Sequence, residues 1–190
     1  MNNLTFKPLT PDCWKDFEEL FGEKGACQGC WCMYFRITSK EFKNNTGDGN
    51  KQAIKALVTS GTMPGILAFQ NGKAVGWCSF GPRTDFIRLK TSRFCKAIDD
   101  KPVWSIVCFF IHKFYRKQGI SQQLLQAAID YMKKQKVKII EAYAISPKAG
   151  KKPSNVDAYV GPEAVYKKAG FKVVARRAEH RPIMRYVVQD

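Results

Sequence analysis

The segment from Arg116 to Gln122 combines residue types that suit the binding of an anion. Gly119 and Ser121 are small, so the backbone can approach a ligand closely, and Arg116 and Lys117 add positive charge. The pattern that follows is that of a helix, whose first turn presents unpaired N–H groups and the positive end of its dipole. On these grounds alone the segment indicates an anion at a helix start, and many loops of this type bind nothing.

The residues on either side predict the elements that would position this segment. Residues 103–111 are almost entirely apolar, which indicates a central strand buried on both faces. After Gly119 the sequence predicts a helix with one apolar face. That face consists of Leu124, Leu125, Ala128, Ile129 and Met132.

A hairpin is predicted upstream, where strand-like runs at 65–69 and 74–80 flank Asn71-Gly72. This dipeptide tolerates the positive φ angles of a tight turn. The apolar residues of the connection 81–103 could lie on a short helix, but their spacing shows no clear helical period. The further predicted elements are strands at 137–145, 171–175 and 183–188 and a short helix from Gly161 to Gly170.

The first 60 residues predict two helices. Thr10 suits the cap of the first, Pro11 its first position, and Gly22 its end. Asn50 suits the cap of the second, which ends near Gly61. The predicted order is α-α-β-β-(loop)-β-α-β-α-β-β, and residues 1–190 are expected to form a single domain without internal repeats.

The segment Cys27-x-x-Cys30-x-Cys32 raises the question of a zinc site. A structural zinc takes four ligands, and no second Cys or His pair lies nearby at metal spacing, so no metal is expected. Two readings stay open for this stretch: a packed, thiol-rich connection, or part of a substrate pocket. The aromatic residues that could line such a pocket are Trp31, Tyr34 and Phe35.

Four features together resemble the GCN5-related N-acetyltransferase (GNAT) family. Arg116-x-x-Gly119-x-Ser121 is similar to the family's Q/R-x-x-G-x-G/A motif, with serine in place of the usual glycine or alanine. Residues 107–111 resemble its fourth strand, and the hairpin at Asn71-Gly72 its second and third. Tyr166-Lys167-Lys168-Ala169-Gly170-Phe171 is similar to its Y-x-x-x-G-F signature. The resemblance covers residues 60–190 well and residues 1–60, the expected substrate-side helices, only loosely.

The resemblance implies an α/β fold: a mixed, twisted central sheet with helices on both faces, splayed near the fourth and fifth strands. It also implies acetyl-CoA as acyl donor, with the pantetheine arm paired to one strand and the pyrophosphate held by backbone N–H groups. The strand residues implied are Phe109, Phe110 and Ile111. The loop residues implied are Arg116, Lys117, Gln118, Gly119, Ile120, Ser121 and Gln122.

The reaction implied is direct attack of a primary amine on the thioester, without an acyl-enzyme. Tyr166 matches the family tyrosine that protonates the departing thiolate, although it could instead be a core aromatic. Glu141 lies inside a predicted strand and is the candidate general base. The alternatives are an outward-facing glutamate paired with a lysine, or deprotonation through ordered water. Tyr159 stands where the family commonly has an asparagine.

The net charge of +16 favours anionic partners such as CoA, an acidic substrate or a nucleic acid, or simply a solvated basic surface. It argues against polycationic acceptors if basic residues line the pocket. With seven cysteines, no long apolar run and no leader pattern, a cytoplasmic protein with free thiols is expected. A non-catalytic acyl-CoA sensor or RNA- or protein-associated module on the same fold is the alternative function. The acceptor and the oligomeric state, a dimer included, stay open.

Overall fold

The protein is described here from a computed structural model, which places residues 4–146 and 159–189. These residues form one seven-stranded sheet in the order β1-β2-β3-β4-β5-β7-β6. Among the seven strands described, β4 and β5 pair in parallel and the other pairs are antiparallel. The strands are β1 Leu4–Pro8, β2 Gly65–Gln70, β3 Lys73–Pro82, β4 Trp104–Ile111, β5 Ile139–Tyr143, β6 Lys172–Arg176 and β7 Pro182–Val187.

Helices cover both faces of the sheet, so the fold expected from the resemblance is confirmed. The helices are α1 Trp14–Phe21, α2 Ser39–Asn44, α3 Asp48–Thr59, α4 Ile87–Thr91, α5 Ile120–Lys134 and α6 Glu163–Lys168. Helix α5 packs on β2, β3 and β4 through its predicted apolar stripe. On the opposite face α1 packs on β3, where Phe17 and Phe21 meet Trp77 edge-on. No helix in the described part of the chain is long and apolar enough to cross a membrane.

Local turn chemistry explains the elements that the sequence predicts correctly. Asn71 and Gly72 adopt φ angles of 50° and 77° between β2 and β3, as the hairpin requires. Gly22 ends α1 with a φ of 62°. Gly119 caps α5 at a φ of 76°, in the left-handed region that favours glycine.

The structure differs from the sequence prediction at four places in the first 60 residues. Residues 4–8 form an edge strand that the sequence prediction lacks, and the residues after Thr10 form a 3-10 turn before α1, with no side-chain cap. Asn50 does not cap α3, which begins at Asp48; its buried amide donates to the Gly29 carbonyl at 2.9 Å. Helix α2 was also missed, although Thr38 and Glu41 form a reciprocal capping box at its start.

Candidate active site

The sheet opens between β4 and β5. These strands pair only from Trp104 opposite Ile140 to Ile106 opposite Ala142, while β4 continues to Ile111. One residue of β4, Val107, has no partner in β3, because Ser79 pairs with Cys108 and Phe80 with Ile106. Such a bulge bends a strand and increases its twist. The bulge therefore directs the second half of β4 away from β5 and leaves one edge of it without a strand partner.

Successive residues of β4 direct their backbone groups to opposite edges of the strand. The N–H of Phe109 faces the open edge, where it donates to the Tyr159 carbonyl at 2.6 Å. The N–H of His112 faces β3 and donates to Val75 at 3.0 Å. By this alternation Ile111 also faces the open edge. Phe110 directs its backbone to β3, opposite Trp77, so its ring rather than its backbone is available to the site.

The turn from Arg116 to Ile120 connects β4 to α5. A Cβ atom at Gly119 would meet no atom within 4 Å, so there is open space beside this turn. Two side chains fold back onto the preceding loop: Arg116 Nε donates to the Ile111 carbonyl at 3.0 Å and Gln118 Nε2 to the Phe114 carbonyl at 3.2 Å. Arg116 thus braces the end of β4, and the first N–H groups of α5 carry the anion-binding capacity of the turn.

Tyr166 on α6 is fully buried behind the opening. Its hydroxyl donates to the Val160 carbonyl at 2.8 Å, and its ring lies edge-on to Phe109 at 6.1 Å between centroids. Burial raises the pKa of Tyr166 well above 10, so the phenol is neutral at physiological pH. Tyr166 therefore belongs to the core, and its hydroxyl is bonded to Val160, a residue that lines the cavity.

Glu141 is 1% exposed, so the reading of an outward-facing glutamate paired with a lysine is wrong. Its Oε1 accepts from Arg83 Nη1 at 3.0 Å and from the Tyr143 hydroxyl at 2.7 Å. Its Oε2 accepts from Arg185 Nε at 2.8 Å. Arg185 in turn makes a bidentate pair with Asp99, at 2.6 and 2.9 Å. Both oxygens of Glu141 are therefore occupied by charged or hydroxyl donors.

A cavity of about 510 Å³ lies on the face of β4 opposite α5. The ring of Phe110 and the thiol of Cys108 form its β4 wall. Tyr159 and Val160 line the end of the cavity that lies next to the opening. The cysteine-rich segment forms another wall, with Cys27, Cys30 and Cys32. The substrate-pocket reading of this segment thus agrees with its position for Tyr34 and Phe35, which line the cavity, whereas Trp31 is buried against Phe21.

Cys32 occupies an unusual position in that wall. Its φ of 62° follows one of 44° at Trp31, and both lie in the left-handed region that side chains other than glycine rarely adopt. Its Sγ accepts the Trp77 indole N–H at 3.1 Å. A hydrogen bond from Cys108, with help from Trp77, lowers the pKa of the Cys32 thiol to about 7 despite burial. Within residues 4–146 and 159–189, no group of three or more His, Cys, Asp or Glu could hold a metal ion.

Sequence reasoning missed the arginines of this region. Arg83 and Arg185 hold Glu141 from 58 and 44 residues away, so no local pattern marks them. Arg88 lines the cavity from α4, in the connection 81–103, where the sequence shows no clear helical period. That Arg83 and Arg185 reach Glu141 can be recognised only when the order of the strands in the sheet is known.

The fold is shared with solved structures of low sequence identity. PaiA N-acetyltransferase from Thermoplasma acidophilum, in complex with coenzyme A, is 15% identical, with a TM-score of 0.54 over 98% of this chain and 99% of that one. YncA from Salmonella typhimurium, with its cofactor acetyl-CoA, is 15% identical, with a TM-score of 0.56 over 100% and 96%. A GNAT-family acetyltransferase from Streptococcus agalactiae is 12% identical, with a TM-score of 0.58 over 98% and 96%.

No curated protein matches the sequence. The family model described as the acetyltransferase (GNAT) family does match, across residues 31–171. That range contains the opening between β4 and β5, the turn at Gly119 and Tyr166. The chain therefore belongs to the GNAT family of acetyltransferases.

Proposed function

We propose that the protein transfers an acetyl group from acetyl-CoA to a primary amine. The observation that carries this proposal is the order of three features along β4 and the turn that follows it: the cavity beside Phe110, the edge of β4 without a strand partner, and the turn at Gly119. A donor with a phosphate group at one end and a thioester at the other fits that path. The compared structures that contain coenzyme A or acetyl-CoA support the choice of donor.

In this proposal the backbone holds the donor. The N–H groups from Lys117 to Gln122 bind the pyrophosphate, where that of Gln122 has to be shared with the Gly119 carbonyl, to which it donates at 3.1 Å. Ile111 and Phe109 pair with the pantetheine arm along the open edge. The Phe109 N–H is already bonded to the Tyr159 carbonyl. Pairing at Phe109 therefore requires Tyr159 to leave, whereas Ile111 needs only Arg116 Nε to share its carbonyl, which has two lone pairs.

The neutral amine attacks the acetyl carbon, a C–N bond forms, and the C–S bond breaks. Tyr166 gives its proton to the departing thiolate once its hydroxyl has left the Val160 carbonyl, and the tyrosinate then regains a proton from ordered water. Glu141 was the candidate base, but its oxygens face Arg83, Arg185 and Tyr143. We propose instead that the amine loses its proton to ordered water and that Glu141 positions the strands around the opening.

Release of CoA from acetyl-CoA, measured with a panel of primary amines and checked by the mass of the N-acetyl product, tests this function. Turnover with at least one amine is the expected result. Acetyl-CoA binding without turnover on any amine would favour the sensor alternative instead. Absence of acetyl-CoA binding would contradict the site itself.

A further inference from the structure

The charged side chains described in the wall of the cavity beside Phe110 are all positive. Among its described lining residues there is no Asp or Glu, whereas two arginines, Arg88 and Arg181, reach it. Arg181 lies with its guanidinium 5.4 Å from the centre of the Phe94 ring, which lines the same cavity. An ammonium group that depends on the protein for a counter-charge finds no carboxylate among the described residues of these walls.

Arg88 is held in one orientation by its neighbours. Its guanidinium lies 4.1 Å from the centre of the Tyr34 ring and 5.0 Å from that of Phe42. Its Nε donates to the Ile37 carbonyl at 3.0 Å, and its Nη2 to the Thr38 carbonyl at 3.2 Å. Its Nη1 has no hydrogen-bond partner among the residues that the structure places. The side chain is therefore fixed with one donor group still available.

A fixed guanidinium suits a carboxylate. Its planar donors match carboxylate geometry, and the immobilised side chain loses little further entropy when the ligand binds. Bonds between charged partners are stronger than neutral ones. The contacts with Tyr34 and Phe42 and the two carbonyl acceptors prepare Arg88 for an anion.

The rest of the cavity wall is mainly apolar and includes the rings of Phe21, Phe35, Phe42 and Phe110. A cavity of about 510 Å³ lies in the size range of small-molecule sites. Such walls favour an apolar or aromatic ligand body. A polyamine would place its additional positive charges beside Arg88 and Arg181.

We infer that the acceptor is a small primary amine that carries a carboxylate on an apolar body, with the carboxylate bound by Arg88 and the amine directed to the opening beside Phe110. This inference rests on the proposed acetyl transfer and narrows its acceptor to one chemical class. Arg88 is then a specificity-determining residue, not a catalytic one.

Matched amines test the inference on the unaltered enzyme. L-phenylalanine and phenethylamine differ only in the carboxylate, and L-leucine and 3-methylbutylamine form a second pair. With acetyl-CoA fixed, we expect kcat/KM for each amino acid to exceed that of its partner by about 10–100-fold, the range for a hydrogen bond to a charged group. Equal rates, or a preference for the decarboxylated amines or for spermidine, would overturn the carboxylate site while leaving acetyl transfer intact.

Variants of Arg88 then test whether this residue causes the preference for the carboxylated amine. Arg88→Gln should reduce the preference for phenylalanine over phenethylamine by about 10-fold or more, and Arg88→Lys should reduce it less, because it keeps the charge and loses the fork. Arg93→Gln is the matched control, since Arg93 is exposed and lies over Phe94 without lining the cavity. A preference that survives Arg88→Gln unchanged overturns the assignment of this residue.

Failure of the two proposals can be distinguished. If only amines outside the two pairs are acetylated, acetyl transfer stands and the inferred acceptor class is overturned. If no amine of the panel is acetylated, the proposed function is overturned. Calorimetry with the would-be products, N-acetyl-L-phenylalanine and N-(2-phenylethyl)acetamide, then decides the carboxylate site by itself. Tighter binding of the carboxylate compound supports the site, and equal binding overturns it as well.

Discussion

Replacing Glu141 by glutamine should destabilise the protein strongly and affect chemistry only slightly. Glutamine keeps the shape of the side chain but removes the negative charge between Arg83 and Arg185. Its NH₂ group also has to face a donor, because Arg83, Tyr143 and Arg185 all donate to the native carboxylate. The variant thus leaves Arg83 without a carboxylate partner and Arg185 with Asp99 alone.

The size of the expected loss of stability follows from the burial of the ion pair between Glu141 and Arg185. The Glu141 side chain is 1% exposed and that of Arg185 is 9% exposed, so solvent screens this pair weakly. Loss of one partner from such a pair costs about 3–5 kcal/mol. For a chain of this length, about 2–4 °C of Tm is lost per kcal/mol, so Tm should fall by about 6–20 °C.

Thermal unfolding followed by circular dichroism measures the change, with Glu179→Gln as control because Glu179 is exposed. Acetyl transfer, assayed well below Tm, should stay within about threefold of the native rate if Glu141 only positions the strands. A general base would instead account for about 10²–10⁴-fold in rate. A Tm within 2 °C of native together with such a rate loss would refute the reasoning and restore Glu141 as the base.

Three other changes test the site. Gly119→Val should weaken acetyl-CoA affinity measured by calorimetry, because its side chain would occupy the open space in front of the turn. Tyr166→Phe should lower kcat by about 10²–10⁴-fold while acetyl-CoA affinity changes much less, as measured by steady-state kinetics and calorimetry. Alkylation of Cys32 by iodoacetamide should rise through pH 7 as its thiol ionises, and bound acetyl-CoA should slow it. Cys78, whose pKa burial raises well above 9, should stay unlabelled in the same peptide map.

Matched residues control for these changes. Gly61 also has a positive φ with open space around it, so Gly61→Val should bring similar strain without loss of acetyl-CoA affinity. Tyr186 packs on Phe171 away from the opening, and Tyr186→Phe should leave kcat near native. Equal affinity losses at both glycines, native turnover of the Tyr166 variant, or pH-independent labelling of Cys32 would each contradict the corresponding assignment.

The parts of the fold set by local chemistry could be predicted from sequence. The turn at Asn71-Gly72, the apolar run of β4 and the stripe of α5 each carry their signal within a few residues. Strand β1 could not be recognised, because it is short and lies at the sheet edge, where only alternate residues are partly covered. Asn50 suits a helix cap by type, yet it bonds to Gly29, 21 residues away.

In the candidate site, too, features set by consecutive residues could be predicted and features set by distant contacts could not. The turn at Gly119 follows from motif and spacing, since its function depends on the backbone of consecutive residues. The surroundings of Glu141 and Arg88 depend on contacts between distant elements. A carboxylate in a strand indicates that some partner exists, but only the sheet order shows that the partners are arginines.

The position of β7 between β5 and β6 has a consequence for synthesis of the chain on the ribosome. Strand β6 is made before β7, yet in the finished sheet its only neighbour is β7. Until β7 emerges, β6 has no partner, and the Glu141 carboxylate has Arg83 but not Arg185. The opening around which the site is built can therefore be completed only after β7 has been translated and inserted beside β5.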